Sequence, residues 1–469
     1  MMERGAIQAG ERLPATRELA GRLGLNRTTV SAAYAVLEQS GFLEGHVGRG
    51  SFVARRDHAA GSGDSARPFD WDSILPPLAR SPGTAQAVEI SFANSRPSEE
   101  AFPLAEFRSL AKEVIDGAEA AEILQLGSPY GYGPLRRYLL SEASAAGIAL
   151  PGDDLMITNG CQQALDLIAR LFIAAREMVV VEDPVYHGLL RVFSRAKANL
   201  IPVPVDNGGI DPDLLARAVE EHRPRLIVLS PSFQNPTGYT LNLDRRKQIL
   251  EIAQRCGAVV IENDIYSDLR YRGQNLPTLK ELDENGQTML LRSYSKVSFP
   301  GLRVGWIIGP RAAIARLVEI KQICDLHSDQ LSQAVLLRFA ESGELQRHLD
   351  RTRRAGLEKL QATLDACGRF LPRGTRFARP DGGMNLWIEL PGPLISDKVL
   401  ALAEERGMSF LPGNYFSENA RHERGLRISF GGLSVDQIWR GIKILGDIAT
   451  EELAASSGPV SFEPAAALV

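Results

Sequence analysis

Four short apolar runs constrain this chain more than any other feature. Met178-Val-Val-Val-Glu182, Leu226-Ile-Val-Leu-Ser230, Ala258-Val-Val-Ile-Glu262 and Met289-Leu-Leu-Arg-Ser293 read as buried strands. Each is separated from the next by a stretch long enough for a crossover helix, which makes them members of one parallel sheet. From Val88 onward the chain is therefore expected to form a large α/β domain with a mostly parallel sheet.

Sheets of this kind place ligands just beyond the carboxyl ends of their strands. Lys296 follows the last run, flanked by Ser293 and Ser295 and trailed by Pro300-Gly-Leu-Arg303. Asp264 stands at the end of the 258–262 run, and Tyr266 is expected on the same side by the two-residue period of a strand. Asn235 lies in Gln234-Asn-Pro-Thr-Gly238, where Asn-Pro alone is a turn signal. Thr158-Asn-Gly-Cys-Gln162 precedes an apolar helix expected from about Gln163. Free amides at a helix start bind anions, which singles out the main-chain N–H groups of Cys161 and Gln162.

The first 54 residues carry a different pattern. A helix near Thr16 places Leu19 and Leu23 one turn apart, and a turn at Gly24 follows. Asn26 can cap the next helix, whose Val30, Ala33, Tyr34 and Leu37 form one apolar face. Its first turn presents Arg27, Thr28 and Thr29, residues suited to phosphates and base edges. Two short helices about a glycine turn, then a hairpin over 41–53, make a winged helix-turn-helix pattern.

Length and charge agree with two parts. The 469 residues exceed one ordinary domain, and 44% hydrophobic with 23% charged residues is a globular composition. Eight arginines against five glutamates in residues 1–56 give +3, which leaves −7 of the net −4 on the rest. A basic head on an acidic body fits a phosphate-facing module. Residues 55–87, rich in Ala, Gly, Ser, Asp, Arg and Pro, are expected to be a flexible linker, and 454–469 a disordered tail. No run of about 18 apolar residues appears, and Met-Met-Glu-Arg-Gly lacks an apolar signal core, so a cytoplasmic protein without a membrane partner is expected. Cys161, Cys256, Cys324 and Cys367 lie far apart, with neither CxxC nor Cys/His metal spacing, so neither disulfides nor a metal site is expected.

These motifs resemble two known families. The string from Arg12 to Val53 resembles the GntR winged helix-turn-helix, and implies DNA contacts at Arg17, Arg27 and the wing around Gly48 and Arg49. That family has a complete helix before the Gly10-Glu-Arg-Leu-Pro14 turn; only a handful of residues stand there here, so a start upstream of Met1 is expected. Ser293-Tyr-Ser-Lys296-Val-Ser-Phe-Pro-Gly-Leu-Arg303-Val-Gly-Trp306 resembles the lysine motif of pyridoxal-phosphate-dependent aminotransferases of fold type I. This implies a Schiff base at Lys296, Asp264 beside the ring nitrogen, and Tyr266 and Asn235 on the phenolic oxygen. It also implies Tyr186 stacked on the ring, and Cys161, Gln162, Ser293 and Arg303 around the phosphate. Gly425-Leu-Arg427-Ile-Ser-Phe resembles the strand whose arginine grips a substrate carboxylate, and Gly382-Gly-Met-Asn-Leu-Trp387 a strand of the smaller C-terminal α+β subdomain within residues 88–453. One departure stands out: Leu126 occupies the position of a tyrosine that reaches the partner's phosphate, with Tyr130 nearby as a substitute.

The pairing of the two parts resembles the MocR/GabR branch of the GntR regulators. It implies a homodimer that binds operator DNA and senses an amino-acid-like effector through an aldimine at Lys296. The alternative is an active aminotransferase with a vestigial or truncated head, since its catalytic residue set is near-complete. A sensor of pyridoxal phosphate itself is a third reading.

Overall fold

The computed structural model of the chain describes residues 10–40, 42–46, 50–54, 74–75, 88–174 and 176–456. It divides into two compact units, Met1–Arg80 and Ser81–Val469.

In the small unit, helices Thr16–Leu23 and Arg27–Gln39 meet at Gly24, whose φ of 66° is one that a side chain makes costly. Asn26 caps the second helix by accepting the Thr28 N–H at 3.2 Å. Strands Leu43–His46 and Gly50–Val53 pair antiparallel, Leu43 opposite Val53. Ala20, Val30, Tyr34, Leu43 and Val53 bury against one another, and the Tyr34 hydroxyl donates to the Pro14 carbonyl at 2.8 Å. The expected helix face is narrower than its sequence pattern: the buried stripe leaves Ala33 exposed at its edge. Leu23 is exposed as well, at the helix end beyond that core. The expected truncated first helix, at 1–9, and Gly48 and Arg49 lie outside the described residues, as does nearly all of the expected linker.

The large unit is built on an eight-stranded sheet. Edge to edge its strands are Asp153–Thr158, Gly305–Pro310, Thr288–Ser293, Val259–Asn263, Leu226–Leu229, Met178–Asp183, Asn199–Asp206 and Gly209–Ile210. The five from Thr288–Ser293 to Asn199–Asp206 pair in parallel, so the four apolar runs are adjacent strands. Gly305–Pro310 runs against both its neighbours. Side chains alternate between layers: Val179 and Val181 pack with helices Cys161–Phe172, His187–Arg195 and Arg311–Asp325, while Val180 packs with Pro212–His222 and Leu243–Cys256.

A smaller antiparallel sheet follows, ordered Arg376–Phe377, Asn385–Glu389, Gly425–Ser429, Leu411–Pro412, and shares a core with helices Glu344–Phe370, Ser396–Glu405 and Val435–Ser456. The last helix runs through Ser456, past the point where the tail was expected to begin. Strand Ile90–Ser91 pairs in parallel with Met408–Ser409, so the chain entering this unit joins its C-terminal part first. Among the described residues no helix is long and apolar enough to cross a membrane.

The loop carrying Asn235 is fixed by a fully buried arginine. Arg246 donates to the carbonyls of Leu241, Pro231 and Pro277 and to Ser232 Oγ, at 2.9–3.0 Å. Arg246→Leu strands these acceptors in the interior and is expected to lower the stability of the large unit by about 3 kcal/mol. Parallel urea denaturation of wild type and variant checks this; a loss within error of zero contradicts it.

Candidate active site

The ends of the parallel strands surround a cavity of about 240 Å³. Lys296, Tyr266, Asn235, Tyr186, Cys161 and Arg427 line it, together with Gln162, Ser293 and Arg303. Nine of the residues read from the sequence are therefore brought to one place. A larger cavity of about 920 Å³ lies beside Tyr239, Trp387 and the 419–425 loop, and several of its charges are already paired. Glu389 there meets Arg376 at 2.7 Å and Arg424 at 3.0 Å, and Asp206 meets Arg245 at 2.6 Å. The smaller cavity is the one with polar atoms to spare.

Lys296 ends a short 3₁₀ turn, Tyr294–Lys296, directly after the strand. Its Nζ donates to the Ser95 carbonyl and lies 6.0 Å from the Tyr266 ring centroid. The buried Tyr266 hydroxyl is 2.9 Å from Ser95 Oγ and accepts from Asn385 Nδ2 at 3.2 Å. Tyr266 reaches this place by a different route from the strand period invoked above. The strand stops at Asn263, and Tyr266 precedes a 3₁₀ turn with φ −124° and ψ −8°.

Asp264 sits behind that wall, between the cavity-lining Asn263 and Ile265. Its Oδ2 accepts from Arg292 Nε at 3.0 Å, Arg292 Nη2 at 2.7 Å and Ser267 Oγ at 2.7 Å. Oδ1 is buried and has no hydrogen-bond partner.

The opposite corner is an anion cradle. The helix begins at Cys161, two residues before the expected Gln163, so Cys161 and Gln162 lie in its uncapped first turn. Gly160 precedes it with φ 81°; a Cβ there would fall 2.6 Å from the Arg303 guanidinium. Arg303 Nη2 donates to the Asn159 carbonyl at 3.2 Å and Nη1 to Ser295 Oγ at 3.3 Å. Ser293 is folded back: its Oγ accepts the Ser295 N–H at 3.1 Å and lies 2.9 Å from the Val304 carbonyl. Ser295, not Ser293, is the hydroxyl in contact with Arg303. Burial and the Asp264 carboxylate push the Cys161 thiol up to about 12, against the pull of Lys296 and Arg303, so it stays neutral.

Arg427 is buried on strand Gly425–Ser429. Nη1 donates to Asn235 Oδ1 at 3.3 Å and Nη2 to the Ala93 carbonyl, while Nε has no partner. Burial draws its pKa down to about 10, so it remains a cation at neutral pH and faces no carboxylate of its own. His187, lining the same cavity beside Tyr186, is pushed down to about 4 by burial and by Arg427 and Arg191, and is neutral. The Tyr186 hydroxyl donates to Gln162 Oε1 at 3.3 Å.

This arrangement fits pyridoxal phosphate. An unpaired buried carboxylate oxygen suits a ring N–H, an uncapped helix start beside Ser295 and Arg303 suits a phosphate, and Lys296 supplies the amine. Ser95, Arg292, Ser267 and His187 take part without having been singled out by sequence, while Ser295 and Asn385 stood in quoted motifs without a role of their own. For Ser95 no local signal existed; for Asn385 the signal was its place in the quoted 382–387 strand, and for Arg292 a charge inside an apolar run. Leu126 is 73% exposed, and Tyr130 is held under Arg136, whose Cζ is 4.8 Å from its ring centroid. On the small unit Arg17, Arg27, Thr28 and Thr29 are all exposed.

The family model described as aminotransferase class I and II matches residues 101–445, and that of the gntR family of bacterial regulatory proteins matches residues 1–53. The chain is 31% identical to an uncharacterized HTH-type transcriptional regulator, YdfD of Bacillus subtilis, over 96% of this chain and 94% of that one. It is 28% identical to the probable rhizopine catabolism regulatory protein MocR of Rhizobium meliloti, over 94% and 90%. LysN of Thermus thermophilus, an α-aminoadipate aminotransferase solved with N-(5'-phosphopyridoxyl)-L-leucine, superposes with a TM-score of 0.74 at 35% identity, over 79% of this chain and 94% of its own.

One buried acid beside the site gives a pH test. Glu182, on the strand that leads to Tyr186, accepts from the Ser230 N–H at 3.0 Å and the Gln234 amide at 3.5 Å, and Oε1 has no partner. Burial pushes its pKa up from the ordinary 4.5 to about 8. The folded state thus keeps a proton that the unfolded chain releases; this stabilisation is complete below pH 4.5 and is lost as the pH rises to about 8. Glu182→Gln does not titrate, so its melting temperature should fall less steeply than that of the wild type between about pH 5 and about pH 8. Equal slopes in a pH series of thermal melts would refute this.

Proposed function

The chain belongs to the class I and II aminotransferase family and carries a gntR-family head, and from this premise we propose that its large unit reads an amino-acid-like effector for transcription control. The GntR-type head is joined to a pyridoxal-phosphate aminotransferase-like domain in one polypeptide, as in the HTH-type regulators it matches nearly end to end. Bound pyridoxal phosphate supplies an aldehyde carbon for amines and a ring that withdraws electrons from the carbon attached to them. Lys296 would hold that carbon in the resting site, with Asp264 at the ring nitrogen and the Cys161–Gln162 amides, Ser295 and Arg303 at the phosphate. Tyr266 and Asn235 would orient the phenolic oxygen. Arg427 binds the effector's carboxylate, for which a planar, buried, unpaired guanidinium is suited.

The observation that carries the sensing role is the course of residues 93–95. The Ala93 carbonyl accepts from Arg427 and the Ser95 carbonyl from Lys296. An effector carboxylate competes with the Ala93 carbonyl for Arg427, and an effector amine competes with Lys296 for the cofactor's aldehyde carbon, so one ligand acts on both side chains that this segment meets. The segment continues Ile90–Ser91, the first strand of the unit, and so is the part of the site nearest in sequence to the head. Effector affinity that differs between the held and released states is what biases the regulator. We propose further that it acts as a cytoplasmic homodimer on double-stranded operator DNA. Leu124, Leu126 and Ile323, large apolar side chains exposed at 67%, 73% and 89%, support burial against a second copy.

A second reading, an active aminotransferase, is favoured by the presence of Lys296, Asp264, Tyr266 and Asn235 together. The deciding experiment is a salt-dependent DNA titration on the intergenic region beside the gene, with and without pyridoxal phosphate. Specific binding that weakens steeply with salt supports the regulator; its absence, with turnover in a transamination screen, supports the enzyme. Arg27→Ala should weaken operator affinity by about 1–3 kcal/mol with cofactor loading unchanged. Lys296→Ala should abolish the visible band of the lysine-bound cofactor, which absorption spectra read directly. Arg427→Leu should weaken amino-acid effectors at least roughly tenfold, while amines without a carboxylate are little changed, as calorimetry would measure.

A further inference from the structure

We infer that Arg292 is the positioning residue of the site, holding Asp264 as a carboxylate with one oxygen occupied and the other reserved for the ring nitrogen. The inference rests on the reading that Asp264 meets that nitrogen. Arg292 lies on strand Thr288–Ser293, four residues before Lys296, and Asp264 directly follows the neighbouring strand Val259–Asn263. The Asp264 N–H donates to the Leu291 carbonyl at 3.0 Å, so the two side chains are held face to face by the ladder itself. Three donors, two from Arg292 and one from Ser267, converge on Oδ2 alone, and Arg292 Nη2 also reaches Ser267 Oγ at 3.3 Å. Oδ1 is left buried and bare.

The asymmetry has an electrostatic consequence. A single proton shared between Asp264 and a ring nitrogen can rest on either partner. A cation beside Oδ2 stabilises the charged carboxylate, and so moves that proton to the ring, where it is needed for electron withdrawal. Burial works against the Arg292 charge, but the carboxylates of Asp264 and Asp268 outweigh it and hold it protonated. The two side chains already meet as an ion pair, Arg292 Nη2 to Asp264 Oδ2 at 2.7 Å, before any ligand arrives.

The test uses full-length protein loaded with pyridoxal phosphate carrying ¹⁵N in the ring, read by NMR together with cofactor affinity. In Arg292→Gln the ring-nitrogen signal should move from the wild-type position toward the unprotonated one, with cofactor binding weakened about tenfold. Arg292→Lys should restore most of both. Ser267→Ala, which removes the third donor and one acceptor of Arg292 but leaves the cation, should shift the signal the same way by less, and it carries the test if Arg292→Gln does not fold. Asp264→Asn is the reference. If it moves the signal and neither Arg292→Gln nor Ser267→Ala does, the inference about Arg292 is overturned. If Asp264→Asn itself leaves the signal in place, the assignment of Asp264 to the ring nitrogen falls instead.

Discussion

The parallel pairing of Val259–Asn263 with Leu226–Leu229 on one side and Thr288–Ser293 on the other is the constraint from which the site follows. Parallel strands in register end at a common edge, and what each strand emits after its last paired residue lands beside what its neighbours emit. Asp264 comes one residue after its strand, Lys296 a short turn after its own, and Tyr186 follows Met178–Asp183. Asn235 follows Leu226–Leu229 through a loop that Arg246 pins from below. Groups that are distant in sequence thus share one cavity because backbone ladders hold their starting points about 5 Å apart.

Much of this was legible before the fold was known. The strands announced themselves because burial on both faces demands continuous aliphatic side chains, and their order of use was then set by topology. What could not be read was supplied by chain that arrives from elsewhere. Ser95 and Asn385 complete the surroundings of Lys296 and Tyr266, yet nothing local gives either this role, and only the small sheet and the Ile90–Ser91 pairing bring them in. The choice between Ser293 and Ser295 was also hidden. It depends on which hydroxyl a tight turn consumes internally, a matter of one hydrogen bond to Val304. In the small unit, Ala33 fell outside the core because the first helix and the hairpin pack on the Val30, Tyr34 and Leu37 line alone.

Buried charge is handled in two ways in the large unit. Arg246 is fully engaged by protein: each of its three nitrogens donates to a protein acceptor, four hydrogen bonds in all, and it serves as a fastener. Arg427 and Asp264 are not; each keeps one buried polar atom without a partner. Leaving such an atom bare costs about 1–3 kcal/mol in the empty site. A ligand that supplies the complementary group recovers that cost on binding, so the two unsatisfied atoms mark where affinity is stored.

The two-residue bridge between Ile90–Ser91 and Met408–Ser409 has a mechanical side. Parallel strands pulled along their length are loaded in shear, so their hydrogen bonds share a load rather than opening one by one. Here few bonds share it, chiefly Ile90 N–H to the Gly407 carbonyl at 3.0 Å and Phe92 N–H to the Ser409 carbonyl at 2.8 Å. The anchor behind them is Phe92, whose ring packs so closely on Gly441 that a Cβ there would lie 2.3 Å away. Tension arriving along the chain from residue 88 is therefore borne first by this bridge and its aromatic plug. The carbonyls of Ala93 and Ser95 follow directly behind the plug, so force at the unit's entrance and chemistry at its centre act on the same few residues.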